Sequence, residues 1–247
     1  MKTCETIIPK ILEKKYSSDE ESMLHMKKLS LNQIGLKHNT DKSSIHHNYL
    51  YKYEKYFPFK RDDKLNILEL GVQYGNSVYT WREYFPNSQI LGVDVNQDYK
   101  IHQSNNITIE IGSQNDINFL NYIKSNYPPF HLIIDDASHQ SPDQILSFQQ
   151  LFPHLHPQGI YVIEDTSTAY WEQFQGGPNY PNNAMQYFKN LIDEVNFYGI
   201  YAESPHTCSR RDDNILIQQE KNKGKYYLGM DIESINFLNS IIIVTKR

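Results

Sequence analysis

The sequence comprises 247 residues, of which 39% are hydrophobic and 13% aromatic, and its formal net charge is -5. That charge offers no general attraction to nucleic acid or anionic membranes. No apolar run approaches the roughly 20 residues of a membrane span. The two cysteines are too few to build a disulfide framework. Because residues 1–16 also lack an apolar secretion signal, we expect a cytoplasmic protein without nucleic-acid or membrane partners.

The N-terminal quarter of the chain has helical periodicity. Three aromatic residues follow one another at spacings of three or four: Tyr49, Tyr53 and Tyr56. This stripe favours core packing over a platform for stacking a sugar. Pro58 and the charged residues after it break the pattern as a linker would. We therefore predict a helical N-terminal extension or lid over residues 1–60, followed by one larger domain over residues 61–247.

From residue 66 onward, apolar runs of strand length alternate with helical stretches. The predicted strands are Asn66–Leu70, Ile90–Asp94, Ile107–Ile111, Phe130–Asp135 and Gly159–Glu164. The predicted helices between them are Gly75–Tyr84, Asp116–Asn126 and Pro142–Leu151. Continuously apolar strands indicate a parallel sheet that helices cover on both faces. The pattern predicts a doubly wound, Rossmann-like α/β sheet, which binds ligands at the carboxyl ends of its strands.

The C-terminal part departs from this alternation. One more helix is predicted from about residue 182 to residue 196, and a polar, partly basic insertion follows over Ser204–Lys225. Two closing strands, Ile232–Phe237 and Ile241–Thr245, flank a turn at Asn239 and Ser240. We expect these strands to form an antiparallel hairpin at the edge of the sheet.

The first strand leads into a glycine-containing turn with the pattern Glu69-x-Gly71-x-x-x-Gly75, followed by Ser77. Glycine lets the backbone approach a ligand closely. The spacing differs from the dinucleotide pattern G-x-G-x-x-G, which disfavours an NAD site. Asp94 ends the second strand, where an acidic side chain can accept hydrogen bonds from ribose hydroxyls.

Ser113 and Gln114 follow the third strand, where their amides and hydroxyl could bind an adenine edge, while Asp116 could equally be a helix N-cap. Each of these pieces alone is typical of an ordinary turn between a strand and a helix. Three of them, in order at the same edge of one sheet, favour a nucleoside-binding site.

Four acidic residues and one histidine follow the next two strands. Asp135 and Asp136 end the fourth strand, Glu164 and Asp165 end the fifth, and His139 lies at the start of the helix between them. Converging carboxylates require a counter-cation or proton uptake, and hard oxygen ligands favour Mg²⁺, Mn²⁺ or Ca²⁺. Such an ion would bind an acceptor oxygen and lower its pKa, while His139 would take the proton. A single acidic pair alone is more often a helix cap or a solvated turn.

Several of these segments resemble one family. The segments are Asn39–Lys42, Ile67–Val72, Leu132–His139 and Tyr161–Trp171. They are similar to the metal-dependent sugar O-methyltransferases of macrolide and related natural-product pathways, such as those of mycinamicin and tylosin biosynthesis. The resemblance covers about residues 32–196 and resumes at the closing hairpin.

The resemblance implies a class I S-adenosylmethionine (SAM)-dependent methyltransferase fold, with SAM and Mg²⁺ or Mn²⁺ as cofactors. It implies that Asp136, Glu164 and Asp165 hold the ion, that His139 is the general base, and that Asp135 faces the methionine end of SAM. Self-association is expected by analogy alone.

The resemblance also implies that Thr40, Asp41 and Lys42 help to close the cofactor or substrate site, with Thr40 among the cofactor-binding residues. The alternative for this tripeptide is a helix cap with a surface charge pair. The expected acceptor is a hydroxyl of a sugar or glycosylated natural product. A phenolic or other small-molecule hydroxyl, or a nucleoside-binding module without catalysis, are the alternatives.

Overall fold

A computed structural model describes residues 28–178, 180–195 and 231–247 of the chain. Before the sheet, it contains two short helices, α1 (Leu31–Lys37) and α2 (Tyr49–Tyr56). Helix α1 begins with a capping box, in which the side chains of Ser30 and Gln33 each bind the other's backbone amide. Turns connect α1 to α2 within the predicted helical extension. Residues 1–27 lie outside the described part.

The alternating part of the fold contains strands and helices close to the predicted ones. The strands are β1 (Asn66–Leu70), β2 (Gln89–Asp94), β3 (Ile107–Ile111), β4 (Phe130–Asp135), β5 (Leu155–Ile163), β6 (Ile232–Leu238) and β7 (Ile241–Lys246). The helices are α3 (Asn76–Tyr84), α4 (Ile117–Asn126), α5 (Ser141–Leu151) and α6 (Ala184–Val195). Short 3₁₀ turns cover Gln97–His102, Phe152–His154, Thr166–Tyr170 and Glu172–Phe174. The predicted insertion Ser204–Lys225 lies outside the described residues.

The described strands form one sheet in the order β3-β2-β1-β4-β5-β7-β6. Strands β1 to β5 pair in parallel, whereas β7 pairs antiparallel with β5 and with β6. The prediction of a doubly wound, mostly parallel sheet with a C-terminal antiparallel hairpin is confirmed. The chain order reverses next to β1, between β1 and β4, which is where such sheets bind their ligands.

Alternate residues of each strand enter two separate cores. Ile67, Ile134 and Val162 face the layer that contains α1, α2 and α3. Leu68, Ile133 and Tyr161 face the opposite layer, which contains α4, α5 and α6. Because strand side chains alternate between faces, two consecutive polar residues at a strand tip must point to different sides of the sheet.

No helix among the described residues has the length and apolarity needed to cross a membrane. The residues that follow β1, β2, β3 and β4 all emerge at the same edge, so the fold gathers their side chains around one cavity.

Candidate active site

A cavity of about 730 Å³ opens at the carboxyl ends of the parallel strands. Nine of the residues predicted for the site line it: Thr40, Gly71, Ser77, Asp94, Ser113, Gln114, Asp136, His139 and Asp165. The other four, Glu69, Gly75, Asp135 and Glu164, are buried behind its wall. The structure thus separates the predicted set into nine residues that line the cavity and four that are buried next to it.

The glycine turn after β1 brings two strand tips into contact. Gly71 has a φ of 92°, and a Cβ atom built there would lie 2.1 Å from the carbonyl oxygen of Asp136. Only glycine fits both the conformation and this approach. Gly75 has a φ of 76° and precedes α3, but it faces the ring of His102, so it shapes the turn without reaching the cavity.

Asp94 holds this turn in place. Its Oδ2 accepts the backbone amides of Val72 at 2.9 Å and Gln73 at 3.0 Å, and its Oδ1 accepts the amide of Asn96 at 2.9 Å. A carboxylate offers about four acceptor positions, so three amides leave room for a further donor. Asp94 is half-buried on the cavity wall, where a ligand hydroxyl can reach it.

Gln114 and Asp135 form a buried polar pair, in which Gln114 lines the cavity and Asp135 lies behind it. The side-chain amide of Gln114 donates to Asp135 Oδ1 at 3.0 Å and accepts the amide of Ser138 at 2.7 Å. Ser147 and Tyr161 also donate to Asp135, which is fully buried. Burial raises the pKa of Asp135 to about 6, although hydrogen bonds from Ser147 and Gln114 oppose the rise.

Asp135 does not line the cavity itself, and its contact with the methionine end of SAM stays a prediction. Strand alternation points Asp135 toward the core around Tyr161, while Asp136 points to the cavity. Asp135 therefore acts through Gln114 and the turn containing Ser138, which that glutamine binds.

Glu69 is likewise a supporting residue rather than a cavity-lining one. It is fully buried, and its Oε2 accepts Ser77 Oγ at 2.9 Å and Trp81 Nε1 at 3.0 Å. Its Oε1 faces Lys42 Nζ at 3.6 Å. Burial raises the pKa of Glu69 to about 7, while Lys42 and the two hydrogen bonds lower it.

A buried lysine stands at the centre of the acidic cluster. Lys42 has 1% side-chain exposure, forms an ion pair with Asp136, and lies 3.0 Å from Glu164 Oε2. Burial alone would lower the pKa of Lys42, but the carboxylates of Asp136, Glu164 and Glu69 hold it well above its ordinary value. The alternative of a helix cap with a surface charge pair is wrong for this residue.

Two tyrosines of α2 bind the same cluster from behind. The Tyr49 hydroxyl donates to Asp165 Oδ1 at 2.5 Å, and the Tyr53 hydroxyl donates to Glu164 Oε1. Both rings are buried, as the core-packing interpretation predicts. The helical spacing did not predict the partners of these hydroxyls, although tyrosine in place of phenylalanine at buried positions indicates that such partners exist.

His139 lies between the two carboxylates that face the cavity. Its Nε2 is 3.9 Å from Asp136 Oδ1 and 3.6 Å from Asp165 Oδ2, while its Nδ1 is buried without a hydrogen-bond partner among the described residues. Helix α5 begins at Ser141, one residue before the predicted start, and His139, with a left-handed φ of 55°, lies in the turn that precedes it. Thr168 fixes this conformation by donating to the His139 carbonyl at 3.1 Å.

This arrangement fits a divalent ion. Asp136, His139 and Asp165 each offer one ligand atom, and these atoms lie within 4.8 Å of one another. Glu164, the third predicted carboxylate ligand, is close by but turned toward Lys42 and Tyr53. Oxygen ligands match Mg²⁺ and Mn²⁺, and a histidine in the set would favour Mn²⁺ or another transition metal.

The fold is that of class I SAM-dependent methyltransferases. The solved structure of MycE methyltransferase from the mycinamycin biosynthetic pathway, in complex with Mg and SAH, superposes with a TM-score of 0.75 at 30% identity, covering 89% of this chain and 55% of that chain. A further MycE structure, with Mg, SAH and mycinamycin VI, has a TM-score of 0.75 at 27% identity. The match covers 97% of this chain and 59% of that chain.

Curated relatives confirm the resemblance to sugar O-methyltransferases. Mycinamicin VI 2''-O-methyltransferase of Micromonospora griseorubida is 33% identical over 201 residues, which are 77% of this chain and 50% of the relative. Demethylmacrocin O-methyltransferase of Streptomyces fradiae is 31% identical over 200 residues, which are 76% of this chain and 50% of the relative. The chain thus spans about half the length of the curated relatives it matches. No protein-family model matches the chain.

Proposed function

We propose that this protein is a SAM- and divalent-metal-dependent O-methyltransferase that acts on a hydroxyl of a sugar or glycosylated natural product. One observation carries the proposal: His139, Asp136 and Asp165 open onto the same cavity as the turn held by Asp94. A methyl donor and an activated hydroxyl need such a shared space, because methyl transfer depends on close and aligned attack. The names of the curated relatives support the sugar acceptor.

The cofactor would occupy the part of the cavity between the Gly71 turn and the residues after β3. Asp94 retains an acceptor position for the ribose hydroxyls, and Ser113 lies on the wall where the adenine would bind. Tyr74 and Tyr99 lie on the same wall with ring centroids 6.3 Å apart, and they offer apolar faces for the base. Thr40 would close the pocket from the N-terminal segment.

Asp136, Glu164 and Asp165 would hold the ion, and His139 is assigned as base rather than ligand. When bound, Mg²⁺ or Mn²⁺ supplies a Lewis acid that makes the acceptor hydroxyl more acidic. The chain's own residues restrict where that hydroxyl can lie. Tyr49 and Tyr53 fix one oxygen each of Asp165 and Glu164, so the second oxygen of Asp165 faces His139.

His139 would take the acceptor's proton at Nε2. That nitrogen faces the cavity side of Asp136 and Asp165, and the two carboxylates attract the imidazolium that forms. The Thr168 hydroxyl lies within hydrogen-bond distance of the carbonyl oxygens of His139 and Asp165, so it links the two turns that carry these side chains. A proton on a partly exposed imidazole can then pass to water.

An aromatic wall beside His139 supports a ring-shaped acceptor. The ring of Phe174 lies 6.4 Å from the His139 ring, and the half-exposed Trp171 lies 5.9 Å from Phe174. Flat apolar rings provide a stacking surface next to a polar reaction centre. A phenolic acceptor could use the same wall, so this wall favours a ring-shaped acceptor without distinguishing the two.

Two assays on purified protein test the proposal. Calorimetry measures SAM binding, and release of S-adenosylhomocysteine is followed with a panel of deoxysugar glycosides and simple phenols in Mg²⁺ or excess EDTA. We expect SAM to bind, glycosides to be methylated faster than phenols, and EDTA to abolish transfer. His139→Ala should lose transfer and keep SAM affinity. Full activity in EDTA would contradict the metal's role, and SAM binding without transfer to any acceptor would favour a nucleoside-binding module.

A further inference from the structure

One ammonium group joins the cofactor turn to the acidic cluster. Lys42 Nζ lies 3.6 Å from Glu69 Oε1 and 3.0 Å from Glu164 Oε2, and it also bonds Asp136 Oδ2. These three carboxylates belong to the ends of the neighbouring strands β1, β5 and β4. A single buried charge therefore links the three central strand tips, and it comes from the segment before α2, outside the sheet.

The charges at this point are unbalanced. Glu69, Asp136, Glu164 and Asp165 bring four formal negative charges to one region, and Lys42 opposes them with one positive charge. Buried carboxylates at such distances repel one another strongly because little water screens them. The lysine is less exposed than the carboxylates that face the cavity, so a ligand entering from solvent does not displace it directly.

The lysine uses the same groups that a divalent ion would need. Its contacts are with Asp136 and Glu164, while Asp136 Oδ1 and Asp165 Oδ2 face His139 at the cavity. A fixed positive charge that shares two carboxylates with an ion stabilises the cluster without the ion and lowers the attraction for it.

We propose that Lys42 is a resident counter-cation that stabilises the acidic cluster in the absence of a divalent ion and limits the affinity of the site for that ion. This inference rests on the proposed metal-dependent function. It gives Lys42 a role that a purely structural ion pair would not have. Exchange of the ammonium for an apolar group of similar length should weaken the fold without metal and tighten metal binding.

The test compares the full-length wild type with Lys42→Met by two measurements. Calorimetric titration with MgCl₂ gives the Kd, and thermal unfolding in EDTA and in saturating Mg²⁺ gives two melting temperatures. We expect Lys42→Met to melt lower than wild type in EDTA, to recover more than half of that deficit in Mg²⁺, and to bind Mg²⁺ about tenfold more tightly or better. Lys37→Met, which removes a surface lysine paired with Glu83, should change neither quantity.

Two results would overturn the proposal. One is a Mg²⁺ affinity of Lys42→Met that is equal to or weaker than that of wild type. The other is the same loss of melting temperature in EDTA and in Mg²⁺. If Lys42→Met does not fold, Lys42→Met/Glu69→Gln restores the formal charge of the cluster and should fold in EDTA. Failure of this double variant to fold, or Mg²⁺ binding by it that is no tighter than in wild type, also counts against the idea. A wild type that does not bind Mg²⁺ contradicts the proposed function itself, whereas wild-type binding with unchanged affinity in Lys42→Met contradicts only the role of Lys42.

Discussion

The bond between Tyr53 and Glu164 is a direct test of how the N-terminal segment supports the site. Both side chains are almost completely buried, and the Tyr53 hydroxyl donates to Glu164 Oε1. Tyr53→Phe keeps the ring, which stacks on Phe57 at 5.2 Å and contacts Trp81 at 6.0 Å, and removes only the hydroxyl. The variant therefore isolates one hydrogen bond to a buried carboxyl group.

The size of the effect follows from burial. A hydrogen bond to a charged group contributes about 1.5–3 kcal/mol, and the acceptor left without a partner cannot turn to water. We therefore expect Tyr53→Phe to lower the free energy of unfolding by about 2 kcal/mol. For a chain of this length, that loss corresponds to a fall in Tm of roughly 4–8 °C.

Thermal unfolding and urea denaturation in EDTA measure this loss. Tyr51→Phe is the matched control, because Tyr51 lies on the same helix with 66% exposure and should change the free energy by less than about 0.5 kcal/mol. Tyr53→Phe should also weaken Mg²⁺ binding, since Glu164 loses a group that orients it. A Tyr53→Phe protein as stable as Tyr51→Phe would refute the reasoning.

Three further substitutions, and removal of the metal ion with EDTA, test the same geometry. Gly71→Ala forces a left-handed φ and a clash with the Asp136 carbonyl, so it should cost at least about 1–2 kcal/mol in chemical denaturation and abolish SAM binding. Asp94→Asn should weaken SAM binding by about tenfold or more in calorimetry, because an NH₂ donor replaces one of the carboxylate oxygens that accept backbone amides. Unchanged affinity would exclude Asp94 from the ribose site. Trp171→Ala should raise the KM for a glycoside and leave the Kd for SAM unchanged, whereas a change in kcat alone would argue against stacking. EDTA should lower the wild-type Tm, and Mg²⁺ should restore it by mass action.

Much of the fold could be predicted because its signals are local. β1, β3 and β4 have the predicted bounds, since each is a short segment rich in Ile and Leu between polar turns. β5 begins at Leu155, four residues before the prediction, because Pro157 and Gln158 resemble a turn and instead lie in an irregular stretch of the strand. Helical periodicity in the N-terminal segment could not predict where its helices begin and end, which capping at Ser30 and the turns around Asn39 determine.

The site was harder to predict, because side-chain direction depends on distant partners. The motif places Asp135 and Asp136 at one strand tip, but only the packing of Tyr161 and Ser147 shows which of them faces the core. The burial of Lys42 depends on Asp136, which is 94 residues away in the sequence. Glu164 points to Tyr53, which is 111 residues away. Sequence spacing cannot report such contacts, whereas strand alternation could have separated each acidic pair into an inward and an outward member.

Anomalous diffraction from crystals grown with Mn²⁺ and S-adenosylhomocysteine tests the central claim most directly. The account predicts one strong Mn²⁺ peak within ligand distance of Asp136 and Asp165, with the nucleoside between the Gly71 turn and Ser113 and its sulfur facing the ion. A Mn²⁺ peak elsewhere, or a nucleoside bound in a cavity that carries no peak at millimolar Mn²⁺, would contradict the claim that these strand tips form a metal-dependent methyl-transfer site.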